Sequence, residues 1–224
     1  TLMIDFATAR RMMVDGQIRP NDVTDPRILA AMLELPRERF LPPGQTDLAY
    51  LDLDVPVLGG GRRPLRRLLK PMLLAKLIQA AAVRDADIVL DVGCATGYSS
   101  AVLARLAHSV VALEEEESLA ARAREILTAL GKDNVSVVTG PLAAGWPARG
   151  PYDAIVLEGA TEVEPKTLFP QLREGGRLVC VQGGSAAGKA MIYRRVGADV
   201  SGRPAFDAAA SILPGFKAAP AFVF

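Results

Sequence analysis

The thirteen residues from Ile88 to Ser100, Ile-Val-Leu-Asp-Val-Gly-Cys-Ala-Thr-Gly-Tyr-Ser-Ser, restrict the possible folds more than any other stretch. Ile88 to Val92 is a run of β-branched and apolar residues broken only by Asp91, the pattern of a strand buried on both faces. Gly93 and Gly97 bracket a tight turn, and Val102, Leu103 and Leu106 then recur at helical spacing from Tyr98 to Ala107. Strand, glycine turn and helix in that order form the first crossover of a doubly wound α/β sheet. Glycine suits the turn because the backbone bends sharply there and lets a ligand approach with no Cβ in the way.

The turn departs from the dinucleotide fingerprint Gly-x-Gly-x-x-Gly, since Ala95 and Tyr98 stand where the second and third glycines would be. In its place is an acid two residues before the first glycine. A carboxylate repels a pyrophosphate but attracts an ammonium or sulfonium group. A second acid, Glu114, ends the next apolar run, Val110 to Leu113, where it could accept hydrogen bonds from ribose hydroxyls. A positively charged nucleoside satisfies both, and S-adenosylmethionine is the ligand implied. An ordinary strand-helix-strand unit without a ligand is the alternative, and a nicotinamide dehydrogenase is disfavoured by Ala95 and Tyr98.

A chain of 224 residues can enclose one large core. Half of it is hydrophobic, yet no apolar run approaches the ~18 residues of a membrane span, and Thr1 to Phe6 lacks a signal-peptide pattern. With 26 basic and 25 acidic side chains the formal charge is +1, which argues against general nucleic-acid affinity. Cys94 and Cys180 are too few for a disulfide framework or a zinc cluster, so reduced thiols in a cytoplasmic protein are expected and no metal site is. His108, the sole histidine, falls in a connection and reads as a solvated turn residue.

Along the chain, Asp5 to Ile18 is an amphipathic helix ended by Arg19-Pro20-Asn21. Asp25-Pro26 starts another helix, which carries Ile28, Leu29, Met32 and Leu35 on one face. Val55 to Leu58 is extended. From Gly59 to Pro71 the chain holds Arg62, Arg63, Arg66, Arg67 and Lys70 with no acid. That segment reads either as a flexible loop with a solvated basic face or as a loop that greets a carboxylate at the mouth of the cofactor cleft. A strongly apolar helix, Met72 to Val83, follows. Later elements are a helix from Ser118 to Leu130, strands at 135–139, 152–157, 177–181 and 190–196, and a seventh strand at Ala221 to Phe224. The loop 140–150 holds Trp146, a lid or packing residue, and Gly202 to Lys217 is expected to wrap the surface. Residues 1–70 thus form a helical and loop extension over the site, and 71–224 the cofactor-binding domain.

With these pieces in order, the chain resembles the protein-L-isoaspartate O-methyltransferase family over most of its length. The likeness rests on Pro36-Arg37-Glu38-Arg39-Phe40, Ala49-Tyr50-Leu51-Asp52, Leu90-Asp91-Val92-Gly93 with Gly97-Tyr98, and Asn134-Val135. It continues through Gly145-Trp146-Pro147, Pro151-Tyr152-Asp153, Gln171-Leu172 and Gly175 to Val179. The resemblance implies a seven-stranded, Rossmann-like class I methyltransferase sheet, S-adenosylmethionine as donor, and isoaspartyl carboxylates of damaged proteins or peptides as acceptors. It places Asp91, Gly93 and Glu114 at the cofactor, and the expected binding set extends to Cys94, Ala95, Gly97, Ser99, Glu115, Gly140, Leu142 and Glu158. Leu69 stands where the family carries its active-site serine, in Arg67-Leu68-Leu69-Lys70-Pro71, so the catalytic set is Leu69 with Arg66 and Arg67 as carboxylate receptors. Gly140-Pro141-Leu142 replaces the family's Gly-Asp-Gly, and Ala95 replaces a small polar residue or glycine.

A carboxylate acceptor is ionised at neutral pH, its ordinary pKa being about 4, and needs no general base to attack a sulfonium methyl. The protein's task is alignment and the exclusion of water. Two further readings stay open: a divergent paralogue that methylates another acidic acceptor, and a cofactor-binding regulatory module that transfers nothing.

Overall fold

The computed structural model describes residues 5–60 and 63–219. Asp5 caps the first helix, α1 (Phe6–Met13), by accepting from the backbone of Ala7 and Thr8. The chain continues through a wide π turn, Val14–Ile18, and a 3-10 turn to Asn21. Asp25 caps α2 (Pro26–Glu34), with proline at the first helical position where its missing N–H costs nothing. Ile28, Leu29, Met32 and Leu35 are all buried.

Next comes an antiparallel hairpin, β1 (Val55–Gly60) and β2 (Arg63–Leu68). The basic segment is therefore in large part a strand, and the flexible-loop reading does not hold for its second half. Alternation along β2 buries Arg66 and Leu68 and leaves Leu65 exposed. The apolar helix α3 (Pro71–Ala81) follows.

Among the described residues seven strands make one sheet, in the order β5-β4-β3-β6-β7-β8-β9. They are β3 (Ile88–Val92), β4 (Ser109–Glu114), β5 (Val135–Thr139), β6 (Tyr152–Thr161), β7 (Leu172–Gly183), β8 (Gly188–Val196) and β9 (Asp199–Asp207). The first five strands in space are parallel, and β8 and β9 run antiparallel. The seventh strand is thus β9, where a surface wrap was expected, because Gly197 turns the chain back at positive φ directly after β8. The expected strand at Ala221 to Phe224 lies outside the described residues. β6 runs past the expected end at Leu157 through Glu158, Gly159 and Ala160, with an irregularity between Val156 and Ala160.

Alternate residues of the central strands feed two cores. Val89, Ala154, Val156, Val179 and Val181 face a core shared with α1 to α3, α4 (Tyr98–Leu103) and α5 (Glu117–Ala129). Leu90, Val92, Ile155, Leu157 and Leu178 face a second core closed by short 3-10 turns and by Leu213 and Phe216. The segment 208–216 crosses the carboxyl end of β6: Ala160 N–H donates to the Ser211 carbonyl at 2.8 Å, and Leu213 N–H to the Ala160 carbonyl at 2.9 Å. Together with β2 it roofs the ends of the strands that lead into the glycine turn.

Candidate active site

Parallel register brings three acids to one end of the sheet. Asp91 lies beside Ala112 and Val156, Glu114 sits one residue beyond the end of that ladder on β4, and Glu158 follows Leu157 on β6. All three are buried. The Ser99 hydroxyl donates to Asp91 Oδ2 at 2.7 Å and Ser100 donates to the same oxygen, while Asp91 Oδ1 has no partner among the described residues. Glu158 Oε1 is likewise without one. Burial raises Asp91 to a pKa of about 6 against the pull of the two serines. Burial first, and the neighbouring Asp91 charge second, push Glu158 well above the ordinary carboxylate value.

The turn between β3 and α4 supplies the floor. Gly93, Ala95 and Gly97 have φ of +80°, +52° and +94°. Gly93 and Cys94 donate their N–H groups to the Leu113 carbonyl. Gly97 is needed for packing, since a Cβ there would meet Leu127 at 3.1 Å and Ala123 at 3.2 Å on α5. Cys94 is buried and its thiol is pushed up by burial, so it is an inert part of the wall.

Glu114 is fully engaged. Its Oε1 accepts from the backbone of Glu115 at 2.9 Å and Glu116 at 3.2 Å, and its Oε2 from Ala95 N–H at 2.7 Å. Arg66 Nη2 reaches Oε2 at 2.7 Å as well, in an ion pair whose side chains are 4% and 0% exposed. An open face at Gly93 is where a ligand's backbone contacts would fall, yet that space holds Arg66 Nη2 and Leu213, 3.2 and 3.0 Å from the position of an added Cβ. A cavity of only about 10 Å³ remains, bordered by Arg37, Leu69, Gly93, Ser99 and Glu158. That is room for at most one water.

The structure brings together Arg66, Leu69, Asp91, Gly93, Cys94, Ala95, Ser99, Glu114 and Glu158 of the expected residues. Leu142 packs close by, 3.5 Å from a Cβ built on Gly93. Gly140 lies under the ring of Trp146, and the Glu115 side chain is exposed. Arg67 is half-buried and donates to the Asp54 carbonyl at 3.3 Å. Leu69 is 5% exposed and part of the first core. Reading the sequence alone missed Arg37, which is wholly buried between the carbonyls of Ala49 and Leu69, each accepting from it at 2.8 Å, with its guanidinium over the Tyr98 ring. It also missed Ser100 and Leu213. The spacing of Ser100 after Asp91 carried a signal, while nothing local marked Leu213, which arrives from a distant segment.

Comparison with known proteins accords with this geometry. The family model described as Protein-L-isoaspartate(D-aspartate) O-methyltransferase (PCMT) matches residues 9–203. The chain belongs to that family. It is 39% identical over 191 residues to Protein-L-isoaspartate O-methyltransferase 2 of Pelobacter propionicus, covering 85% of this chain and 83% of the relative. Identity is 42% over 176 residues to the protein of the same name from an Anaeromyxobacter species, covering 79% and 70%. A solved protein-L-isoaspartate O-methyltransferase superposes with a TM-score of 0.81 at 26% identity, covering 92% of this chain and 66% of that one. At 17% identity, a Plasmodium falciparum chain described as such an enzyme in complex with S-adenosyl-L-homocysteine shares the fold, with a TM-score of 0.70 over 94% and 99%. The range matched by the family model spans the glycine turn and strands β1 to β8.

The residues present fit the family's cofactor chemically. The buried Asp91 and Glu158 carboxyls, which lie within hydrogen-bond reach of each other, suit the cationic methionyl part of S-adenosylmethionine, and Glu114 suits ribose hydroxyls. Space is short, since Arg66 and Leu213 fill the face of Gly93 and leave about 10 Å³ beside it.

Proposed function

We infer that the protein is an S-adenosylmethionine-dependent methyltransferase that esterifies the carboxylate of L-isoaspartyl residues in damaged proteins and peptides. The observation that carries this reading is the buried trio of Asp91, Glu114 and Glu158 around the glycine turn, of which only Glu114 has an ion-pair partner among the described residues. A cationic ligand beside Asp91 would supply the counter-charge that this buried carboxylate lacks. S-adenosylmethionine supplies the electrophilic methyl group when bound.

The chain's own residues bind, orient and keep water out. Asp91 and Glu158 hold the cationic part of the donor, Glu114 and the Ala95 turn the ribose, and Leu142 with Trp146 the apolar side of the adenine. Arg66 and Arg67 on β2 receive the acceptor carboxylate, and Arg37 fixes the backbone of Leu69 beside it. No base is required, because the acceptor oxygen already carries its charge. The two cysteines, both buried and unpaired, suit a reducing compartment, and we place the protein in the cytoplasm. No described helix is long and apolar enough to cross a membrane. The absence of a hydroxyl at Leu69 favours one second reading, transfer to a different acidic acceptor.

Calorimetry with S-adenosylmethionine tests the cofactor half. Asp91→Asn should weaken binding at least tenfold, since a charge-assisted hydrogen bond contributes roughly 1.5–3 kcal/mol. No binding to the parent protein, or equal binding by both, would contradict the reading.

A further inference from the structure

Arg66 is the one described cation that is ion-paired to any of the three acids, and it fills the face of Gly93 to which the methyltransferase reading assigns the ligand. Its guanidinium lies on Glu114 and over Gly93, leaving about 10 Å³ of free space. An adenosyl group cannot enter unless that side chain leaves. Once it leaves, a buried positive charge has lost its partner, and another anion must meet it for the open state to persist. Resting on the methyltransferase reading above, we propose that Arg66 is a positioning residue exchanged between the two ligand sites. While the cleft is shut it pairs with Glu114, and when ribose hydroxyls take Glu114 the released guanidinium receives the acceptor's carboxylate.

The covalent layout supports this exchange. Arg66 sits on β2 three residues before Leu69, so the strand that carries it also leads to the wall of the remaining cavity. The two groups that would compete for Glu114, a guanidinium and a ribose diol, both donate hydrogen bonds to the same pair of oxygens. Arg37 is no substitute, because the carbonyls of Ala49 and Leu69 hold it from both sides. Leu213 completes the plug but carries no charge, and its N–H is tied to the Ala160 carbonyl on β6. Binding then follows an order, cofactor before acceptor. By linkage, an acceptor carboxylate that captures Arg66 raises cofactor affinity, and the cofactor raises acceptor affinity by the same factor.

S-adenosylhomocysteine, which has no methyl to give, permits the test by binding alone. It is titrated calorimetrically into the parent protein, Arg66→Ala and Arg66→Gln, each with and without an isoaspartyl peptide. The glutamine variant retains side-chain bulk and donors in case the alanine variant does not fold. In the parent the peptide should tighten binding about tenfold, a coupling within the usual range. In the variants S-adenosylhomocysteine alone should bind about tenfold more tightly than to the parent, because the ion pair that holds Glu114 is gone, and the peptide should add nothing. A merely structural Arg66 would give weaker binding in both variants, and that result, or peptide coupling that survives in them, overturns the exchange. A parent protein that does not bind S-adenosylhomocysteine at all would bring down the methyltransferase reading itself, and the exchange with it.

Discussion

Asp91 illustrates how much the site strains a single side chain. Two serine hydroxyls favour its ionised form, yet complete burial prevails and its pKa stands near 6 instead of 3.8. A carboxyl group whose pKa rises on folding binds more protons in the native state than in the unfolded one. Stability from this group is therefore complete below about pH 3.8 and is lost as pH rises through about 6. Glu158, shifted in the same direction, extends the loss upward. In urea unfolding from pH 4 to 7, the ligand-free parent should lose stability relative to Asp91→Asn as pH increases. Parallel curves would show that Asp91 is not held protonated. That Asp91, Gly93 and Glu114 meet at one end of the sheet could be read from the sequence, because Asp91 and Gly93 lie at the end of one apolar run and Glu114 ends the next. Arg66 could not be paired with Glu114 in advance, since 48 residues separate them and only the hairpin's alternation turns it inward.

At the scale of elements, β2 and the turn after β3 carry the local consequences. Leu69 follows β2, is 5% exposed, and its carbonyl is held by Arg37. Leu69→Ser should lower the unfolding free energy by about 1.5–3 kcal/mol, the value of burying a leucine, without speeding methyl transfer. Denaturation and initial rates measured together would decide, and a faster rate in the serine variant would show that this position reaches the acceptor. Gly97→Ala should destabilise by about 1–3 kcal/mol, because its Cβ would press on α5 at a φ of +94°. A thermal melt unchanged from the parent would contradict that packing role. Strands β3 and β5 have the limits their apolar runs suggest, as does the start of α2 at Asp25-Pro26. The termination of α4 at Leu103 and the length of β6 could not be read in the same way, because pairing with β7 decides the latter. The strand β9 was hidden for a related reason: Gly202 and Pro204 are poor strand residues, and only the register against β8 makes them part of the sheet.

On the scale of the molecule, one sheet collects acids from three strands at its carboxyl end, and β2 and 208–216 close over them. The parallel half gathers the acids at the carboxyl ends of its strands, the place where open α/β sheets bind ligands, while the segment that follows the antiparallel half forms part of the roof. That division explains why the gathering of the acids was legible in the sequence and the roof over them was not, since the roof is assembled from segments far apart in the chain. The central claim is that this assembly transfers methyl to an isoaspartyl carboxylate. It is tested most directly by incubating the protein with labelled S-adenosylmethionine and either an isoaspartyl peptide or its ordinary aspartyl twin. The account predicts base-labile methyl ester on the isoaspartyl peptide and not on the twin. Equal labelling of the two, or labelling of neither while the cofactor remains bound, would contradict it.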